Sequence, residues 1–257
     1  MFNFPSKSEL ECLKHRFYDA QPFPYVILDD FLDSSYVELL ADEIVESRKL
    51  RKGRNRDLFF AKNKSEINDF EKNGPVLGQL WNAVCDVEFT RMVQFICDDS
   101  TVFLDQEFHG GGLHVTESGG FLDRHVDFNC HPVQKTWERR LNVLLYLNPR
   151  WCEEWGGELF LNVPNSSGPD VRVSPLSGRL VIMETSSRTV HGVNQIEIPS
   201  GYKPNGRLSL AMYFYSSSEN EMQFRSTVWH GVGLKGFVGR HIWRLVSVKN
   251  KMIGNKK

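Results

Sequence analysis

Three side chains able to grip a metal occur in two short stretches, His125-Val126-Asp127 and, far downstream, His191. Side chains alternate faces along an extended strand, so His125 and Asp127 point the same way, about 7 Å apart along the backbone. One more imidazole beside that pair gives two nitrogens and one carboxylate on one side of a metal, the facial set suited to non-haem iron(II). Three protein ligands leave open positions for a chelating cosubstrate and dioxygen. These three residues are the candidate metal ligands and the candidate catalytic centre.

A lone His-x-Asp is weak, because the two residues meet by chance in strands and turns. Weight comes from the second half, His191-Gly-Val193 followed by Arg207-Leu-Ser209. Arg207 opens an apolar strand, where burying an unpaired guanidinium is costly unless an anion meets it. Its planar fork suits a carboxylate, and Ser209 shares its face two residues on. That couple would hold the far carboxylate of a dicarboxylic acid, although an exposed strand-end arginine would read the same way. Tyr146, Leu144 and Asn142 share one face of Asn142-Val-Leu-Leu-Tyr-Leu147, so a phenol and an amide can line the same cavity. Parity also puts Tyr213 beside Ser209, as a substrate-side wall or an ordinary core aromatic.

Other features carry less. Gly231-Val-Gly-Leu-Lys-Gly236 has the dinucleotide-loop spacing without a strand–helix unit around it. His109, His114 and His131 could supply a different ligand set, but none pairs with a carboxylate on one face as His125 does with Asp127. Arg48 to Arg56 holds six basic residues in nine, which reads as a solvated helix end running into a loop. No nucleophile elbow, phosphate loop or Cys-based zinc motif is present.

Elements must bring these residues together. Tyr25–Leu28 reads as a strand, and a helix follows from Asp33 or Ser34, with Val37, Leu40, Ala41, Ile44 and Val45 at helical spacing. Residues 50–75 read as a long loop, and Val76 to Cys97 as a second helical stretch. After residue 100 the pattern becomes eight short strands: Val102–Phe108, Gly112–Thr116, Phe121–Phe128, Leu141–Leu147, Glu158–Val163, Arg179–Glu184, Thr189–Val193 and Arg207–Tyr215. Turn signals such as Gly119-Gly120, Gly156-Gly157 and Ser177-Gly178 separate them. Short strands without long helices between them indicate a mostly β fold with flanking helices, an antiparallel barrel or double-sheet jelly roll. The segment from Thr227 reads as an appendage packed on the barrel.

The chain has 257 residues, 40% apolar and 25% charged, with a formal charge of −1. That suits one domain: support in 1–100, jelly-roll core in 101–216 and an appendage in 217–257. Nothing global favours a polyanion, so nucleic acid is not an expected partner. Five cysteines form no CxxC pair, and Cys12, Cys85 and Cys97 read as small core residues of a protein in a reducing compartment. With no signal-peptide core and no bilayer-spanning run, a cytoplasmic protein without membrane contact is expected, or a nuclear one in a eukaryote. Oligomeric state is left open.

The chain resembles the Fe(II)/2-oxoglutarate-dependent dioxygenases, and among them the prolyl-4-hydroxylase-like branch. The similarity runs through Pro22–Leu32, Gly119-Gly-Phe-Leu-Asp-Arg-His-Val-Asp127, Leu141–Asn148, Trp155-Gly-Gly-Glu-Leu-Phe160, Ser177–Ile182, His191-Gly-Val193 and Arg207-Leu-Ser209. It implies a double-stranded β-helix (cupin-like jelly roll) with His125, Asp127 and His191 on iron. It implies Arg207 as the 2-oxoglutarate anchor, helped by Tyr146 and Ser209, with Asn142 nearby and Leu159 and Val193 as apolar lining. One departure stands out: relatives often carry a tyrosine where this chain has Val115, and His114 or Thr116 would have to compensate.

The resemblance further implies Fe(II), 2-oxoglutarate and O2, with ascorbate a candidate accessory reductant. Oxidative decarboxylation to succinate and carbon dioxide would drive hydroxylation, and Asp127 argues against halogenation, because related halogenases lack that carboxylate. The expected substrate is an unactivated C–H, foremost proline in a protein or peptide. The alternative is a free amino acid or other small metabolite, for which a second arginine clamp, Arg139 or Arg140, would speak. A catalytically silent jelly-roll binding module and a nucleic-acid demethylase are the rival classes.

Overall fold

The computed structural model describes residues 1–50, 61–67, 70–166 and 168–230. Helix α1 (Lys7–Asp19), strand β1 (Tyr25–Leu28), α2 (Ser34–Leu50), β2 (Ala61–Ile67), α3 (Pro75–Cys85) and α4 (Val87–Ile96) come first. Nine strands follow: β3 (Phe103–Leu104), β4 (Gly112–Val126), β5 (Trp137–Tyr146), β6 (Leu159–Asn162), β7 (Val171–Val173), β8 (Leu180–Glu184), β9 (Val190–Val193), β10 (Arg207–Ser217) and β11 (Val228–Trp229). They form one curled antiparallel sheet in the order β1-β8-β5-β10-β4-β9-β6-β7, with β2 and β11 on β4 and β3 on β10.

Strict alternation in the central strands builds two cores. Leu141, Val143 and Leu145 of β5, Leu180 and Ile182 of β8, and Leu208, Leu210, Met212 and Phe214 of β10 face the helices. There they meet Phe17, Leu40, Ile44, Leu77, Leu80, Phe89 and Val93. The opposite parity (Leu144, Tyr146, Val181, Met183, Ala211, Tyr213 and Tyr215) forms a second cluster inside the curl with Leu159, Leu161 and Val173. Because both faces are covered, these strands read as continuous apolar runs with a few polar residues, and those few sit on the inner face. Register makes the inner face a shared surface: Ser209 pairs with Tyr146 and with His114, Arg207 with Thr116, Tyr213 with Asn142.

Several sequence expectations are corrected. Residues 61–67 lie in β2 rather than in a loop, paired with β4 from Ala61↔Leu122 to Ile67↔Leu113. Gly119-Gly120 does not end a strand, and β4 runs unbroken from Gly112 to Val126. The glycines mark a bulge, where Asn63 Nδ2 reaches the Ser118 carbonyl at 2.9 Å and a Cβ on Gly120 would sit 2.8 Å from the Lys62 carbonyl oxygen. The expected strand Val102–Phe108 shrinks to Phe103–Leu104, because the Asp105 carboxylate takes the Glu107 and His109 amides and turns the chain. The Val76–Cys97 stretch is two helices, divided at Asp86, whose side chain caps α4 through the Glu88 N–H. Helix α1 was unforeseen, despite its Ser6/Glu9 capping box, and its Cys12 is exposed, not core. Cys85 is half-buried and Cys97 buried. The runs 51–60 and 231–236 lie outside the described residues. No described helix is long and apolar enough to cross a membrane.

Candidate metal centre

His125 lies at the end of β4 and Asp127 one residue beyond it, while His191 stands on the neighbouring β9 in register with His125. That register brings a residue from a distant part of the chain against the His-x-Asp pair. Asp127 Oδ1 is 3.4 Å from His125 Nε2 and Oδ2 is 3.3 Å from His191 Nε2. All three side chains are buried.

The outer nitrogens decide what the inner ones can do. His125 Nδ1 faces the Asp123 carbonyl at 2.8 Å, and His191 Nδ1 faces the Thr189 carbonyl at 3.2 Å. A carbonyl only accepts, so each Nδ1 carries the proton and each Nε2 presents a lone pair to the centre. Two lone pairs and a carboxylate thus converge with no hydrogen between them, which is unfavourable unless a cation sits there. Burial and the neighbouring His191 lower the His125 pKa, keeping its ring neutral. Burial alone would raise the Asp127 carboxyl, but the Arg139 guanidinium beside it outweighs that and holds the group well below the ordinary carboxylate range. The donor set therefore fits a divalent transition ion.

Arg139 is the residue the sequence undervalued. Its side chain is fully buried, its Nη2 donates to Asp127 Oδ2 at 2.8 Å, and its guanidinium lies over the rings of Tyr213 and Phe128 at 3.4 and 4.4 Å. Its Nε and Nη1 are buried with no acceptor among the described residues. Asn142 also turns to Asp127, its Nδ2 lying 3.4 Å from Oδ2. Arg140 instead lies near the surface, by Asp99 and Glu138. Parity with Asn142, Leu144 and Tyr146 points to Arg140 instead, but a bulge between Phe214 and Tyr215 skips that residue and sets Arg139 opposite Tyr215 on the inner face.

Further along the inner face, Arg207 is 3% exposed. Its Nε donates to the Gly157 carbonyl at 2.8 Å, its Nη1 to Ser209 Oγ at 3.2 Å, and it lies 4.9 Å from the Tyr146 ring centre. No acidic side chain among the described residues pairs with it. Burial lowers its pKa. The Tyr146 hydroxyl is also buried, without a hydrogen-bond partner among the described residues, its phenol pushed up by burial and opposed by the Arg207 charge. A buried cation beside an unpartnered hydroxyl is a seat for an anion. Leu159 is buried in the same inner cluster and pairs with the half-buried Val193. Val115 points to the helix-side core, so the inner face is supplied by His114 and Thr116 on either side of it. Burial, Lys64 and Arg207 hold the His114 pKa well below its ordinary value.

Asp105, His109 and His131 form a second histidine–carboxylate cluster, under a cleft of about 380 Å3 that also takes in Trp137. Asp105 Oδ2 lies 3.5 Å from His109 Nδ1 and from His131 Nε2. Here the outer nitrogen tells the opposite story. His131 Nδ1 accepts the Gln134 N–H at 2.8 Å and the Val133 N–H at 3.2 Å, so the proton must sit on Nε2, facing the carboxylate. That nitrogen has no lone pair for a metal.

The sequence also gave no signal that the C-terminal segment reaches the centre. Val228 and Trp229 pair with Val126 and His125, and Arg225 Nη2 donates to the Asp127 carbonyl at 3.1 Å.

Residues 104–215 match the model of the 2OG-Fe(II) oxygenase superfamily. No curated protein matches the chain by sequence. Among solved structures, the chain is similar to a prolyl hydroxylase from Trichoplax adhaerens, in complex with a hypoxia-inducible-factor oxygen-degradation-domain peptide. That likeness has 17% identity and a TM-score of 0.57, over 81% of this chain and 91% of that one. A Pseudomonas putida prolyl-4-hydroxylase gives 18% and 0.54, over 82% and 100%. The α-ketoglutarate-dependent epimerase SnoN from nogalamycin biosynthesis gives 17% and 0.55, over 89% and 88%. These likenesses carry the fold.

Proposed function

We propose that this chain, a member of the 2OG-Fe(II) oxygenase superfamily, holds iron on His125, Asp127 and His191 and hydroxylates an unactivated C–H of a prolyl residue in a protein or peptide. The observation that carries the site assignment is the buried Arg207, which among the described residues has no acid partner and lies beside the similarly unpartnered Tyr146 hydroxyl, on the inner face it shares with the two-imidazole, one-carboxylate centre.

The Asp123 and Thr189 carbonyls fix both imidazoles with Nε2 inward. Arg139 keeps the Asp127 carboxylate charged and takes up one of its oxygens, which orients the other. Arg207, Ser209 and Tyr146 receive the far carboxylate of 2-oxoglutarate, while Leu159 and the packed inner cluster exclude water. Bound there, iron with 2-oxoglutarate and dioxygen supplies the oxidising power.

A second reading, a free amino acid or small acid as substrate, is favoured by the Arg139 Nε and Nη1, two buried donors without acceptors among the described residues that could receive a substrate carboxylate.

Incubation with Fe(II), 2-oxoglutarate, O2 and a panel of prolyl peptides and free amino acids tests both readings. Succinate release and one added oxygen on a peptide are expected. An oxygen added only to a free acid favours the second reading, and no added oxygen on any substrate overturns hydroxylation. Arg207→Ala should raise the 2-oxoglutarate KM by about tenfold or more, the scale of a lost charge-assisted hydrogen bond. An unchanged KM removes its role.

A further inference from the structure

Trp229 occupies a position that the site as described does not use. It pairs in register with His125 across β11 and β4, so both side chains leave the sheet on one face. The rings lie 5.0 Å apart at 39°, and the His191 ring stands 4.3 Å from that of His125. Among the described residues, this indole is the one ring other than a histidine in ring-to-ring contact with His125 or His191.

The indole is also fixed. Arg225 is tied to the Asp127 carbonyl and, through its N–H, to Asn129 Oδ1 at 2.7 Å. On the far side of Trp229, the His230 N–H reaches the Arg124 carbonyl at 2.7 Å. The other inner-face aromatics are screened differently. The Arg139 guanidinium lies over Tyr213 and Phe128, and Tyr146 lies beside Arg207.

We propose that Trp229 is an internal target of this centre, oxygenated on its indole ring when 2-oxoglutarate is consumed without substrate. The inference rests on the oxygenase reading of His125, Asp127 and His191. Its balance is complete: an indole C–H, O2 and 2-oxoglutarate become an indole C–OH, succinate and carbon dioxide. One oxygen atom enters the ring C–H and the other enters succinate. The keto acid loses its carboxyl carbon as carbon dioxide and supplies the two remaining electrons. Restraint at both ends of β11 keeps the ring in place during turnover, so modification concentrates on one residue.

The test is wild-type protein turned over with Fe(II), 2-oxoglutarate and air in the absence of substrate, followed by peptide mass spectrometry. The peptide containing Trp229 should gain the mass of one oxygen in step with succinate, and should not do so without air or in Asp127→Ala. Succinate release with that peptide unmodified, or with oxygen distributed over other peptides, overturns the proposal and leaves the oxygenase reading standing. Absence of succinate under every condition overturns the oxygenase reading and the proposal together. A second measurement needs no turnover. Anaerobic Co(II), its binding followed by visible absorption, should quench tryptophan emission in the wild type, and most of that quench should vanish in Trp229→Phe. An equal quench in both proteins would place the indole away from the metal and overturn the proposal.

Discussion

Two clusters in this molecule have the same composition, two histidines and one aspartate, with nearly the same separations: 3.3 and 3.4 Å in one, 3.5 Å twice in the other. They differ in what stands behind the imidazoles. Behind His125 and His191 are carbonyls, which accept; behind His131 are two amides, which donate. The first pair is left with lone pairs facing inward, and His131 is left with a proton. Proximity alone would class both clusters as metal sites, and the tautomers separate them.

The strongest challenge to that distinction is removal of each carboxylate. Asp127→Ala should weaken metal binding by more than about a hundredfold and abolish succinate formation, since loss of even an outer partner costs tens-fold. Asp105→Ala should leave metal content at one ion per chain and turnover intact. It should cost about 1–3 kcal/mol for buried donors left unsatisfied, seen as a lower denaturation midpoint. Metal analysis giving two ions per chain would break the comparison.

Arg139 sharpens it. In the metal-free protein this guanidinium is the neutralising cation of a buried carboxylate, so Arg139→Met should cost about 3–5 kcal/mol by leaving Asp127 unpaired. Divalent metal should then stabilise the variant more than the wild type, because the ion supplies the missing positive charge. Equal stabilisation of both proteins in thermal melts would show that Arg139 and the metal do not share Asp127.

How much of this was legible in the sequence follows the same physics. Alternation along a strand is a local property, so the facing of His125 with Asp127 and of Arg207 with Ser209 could be read directly, as could the β1 boundaries. Pairing is not local. Strand β2 (Ala-Lys-Asn-Lys-Ser-Glu-Ile) buries only its two ends, Ala61 and Ile67, so the polar residues between them read as loop composition. Gly119-Gly120 signals a break in backbone geometry equally well for a turn and for a bulge, and only the partner strand decides. Trp229 and Arg225 gave no signal, because a two-residue strand has no period. The second cluster was hidden for another reason: His109 and His131 were visible as histidines, but Asp105 had been placed inside a strand that its own carboxylate interrupts.

The smallest expected effect is the most discriminating within the second cluster. His131 and His109 look equivalent by distance to Asp105, yet they do different work. His131 Nδ1 holds two backbone amides and the side chain is 2% exposed, so His131→Ala should lower the denaturation midpoint by the equivalent of about 1–3 kcal/mol. His109 is 32% exposed, and its hydrogen bond to Asp105 is donated by its backbone N–H at 2.8 Å, which alanine retains. His109→Ala should therefore lie within about half a kcal/mol of wild type. A metal shared by the two rings would erase this asymmetry. In urea titrations run with zinc, both variants would lose the same increment, whereas a proton-held cluster keeps them apart with zinc and without it.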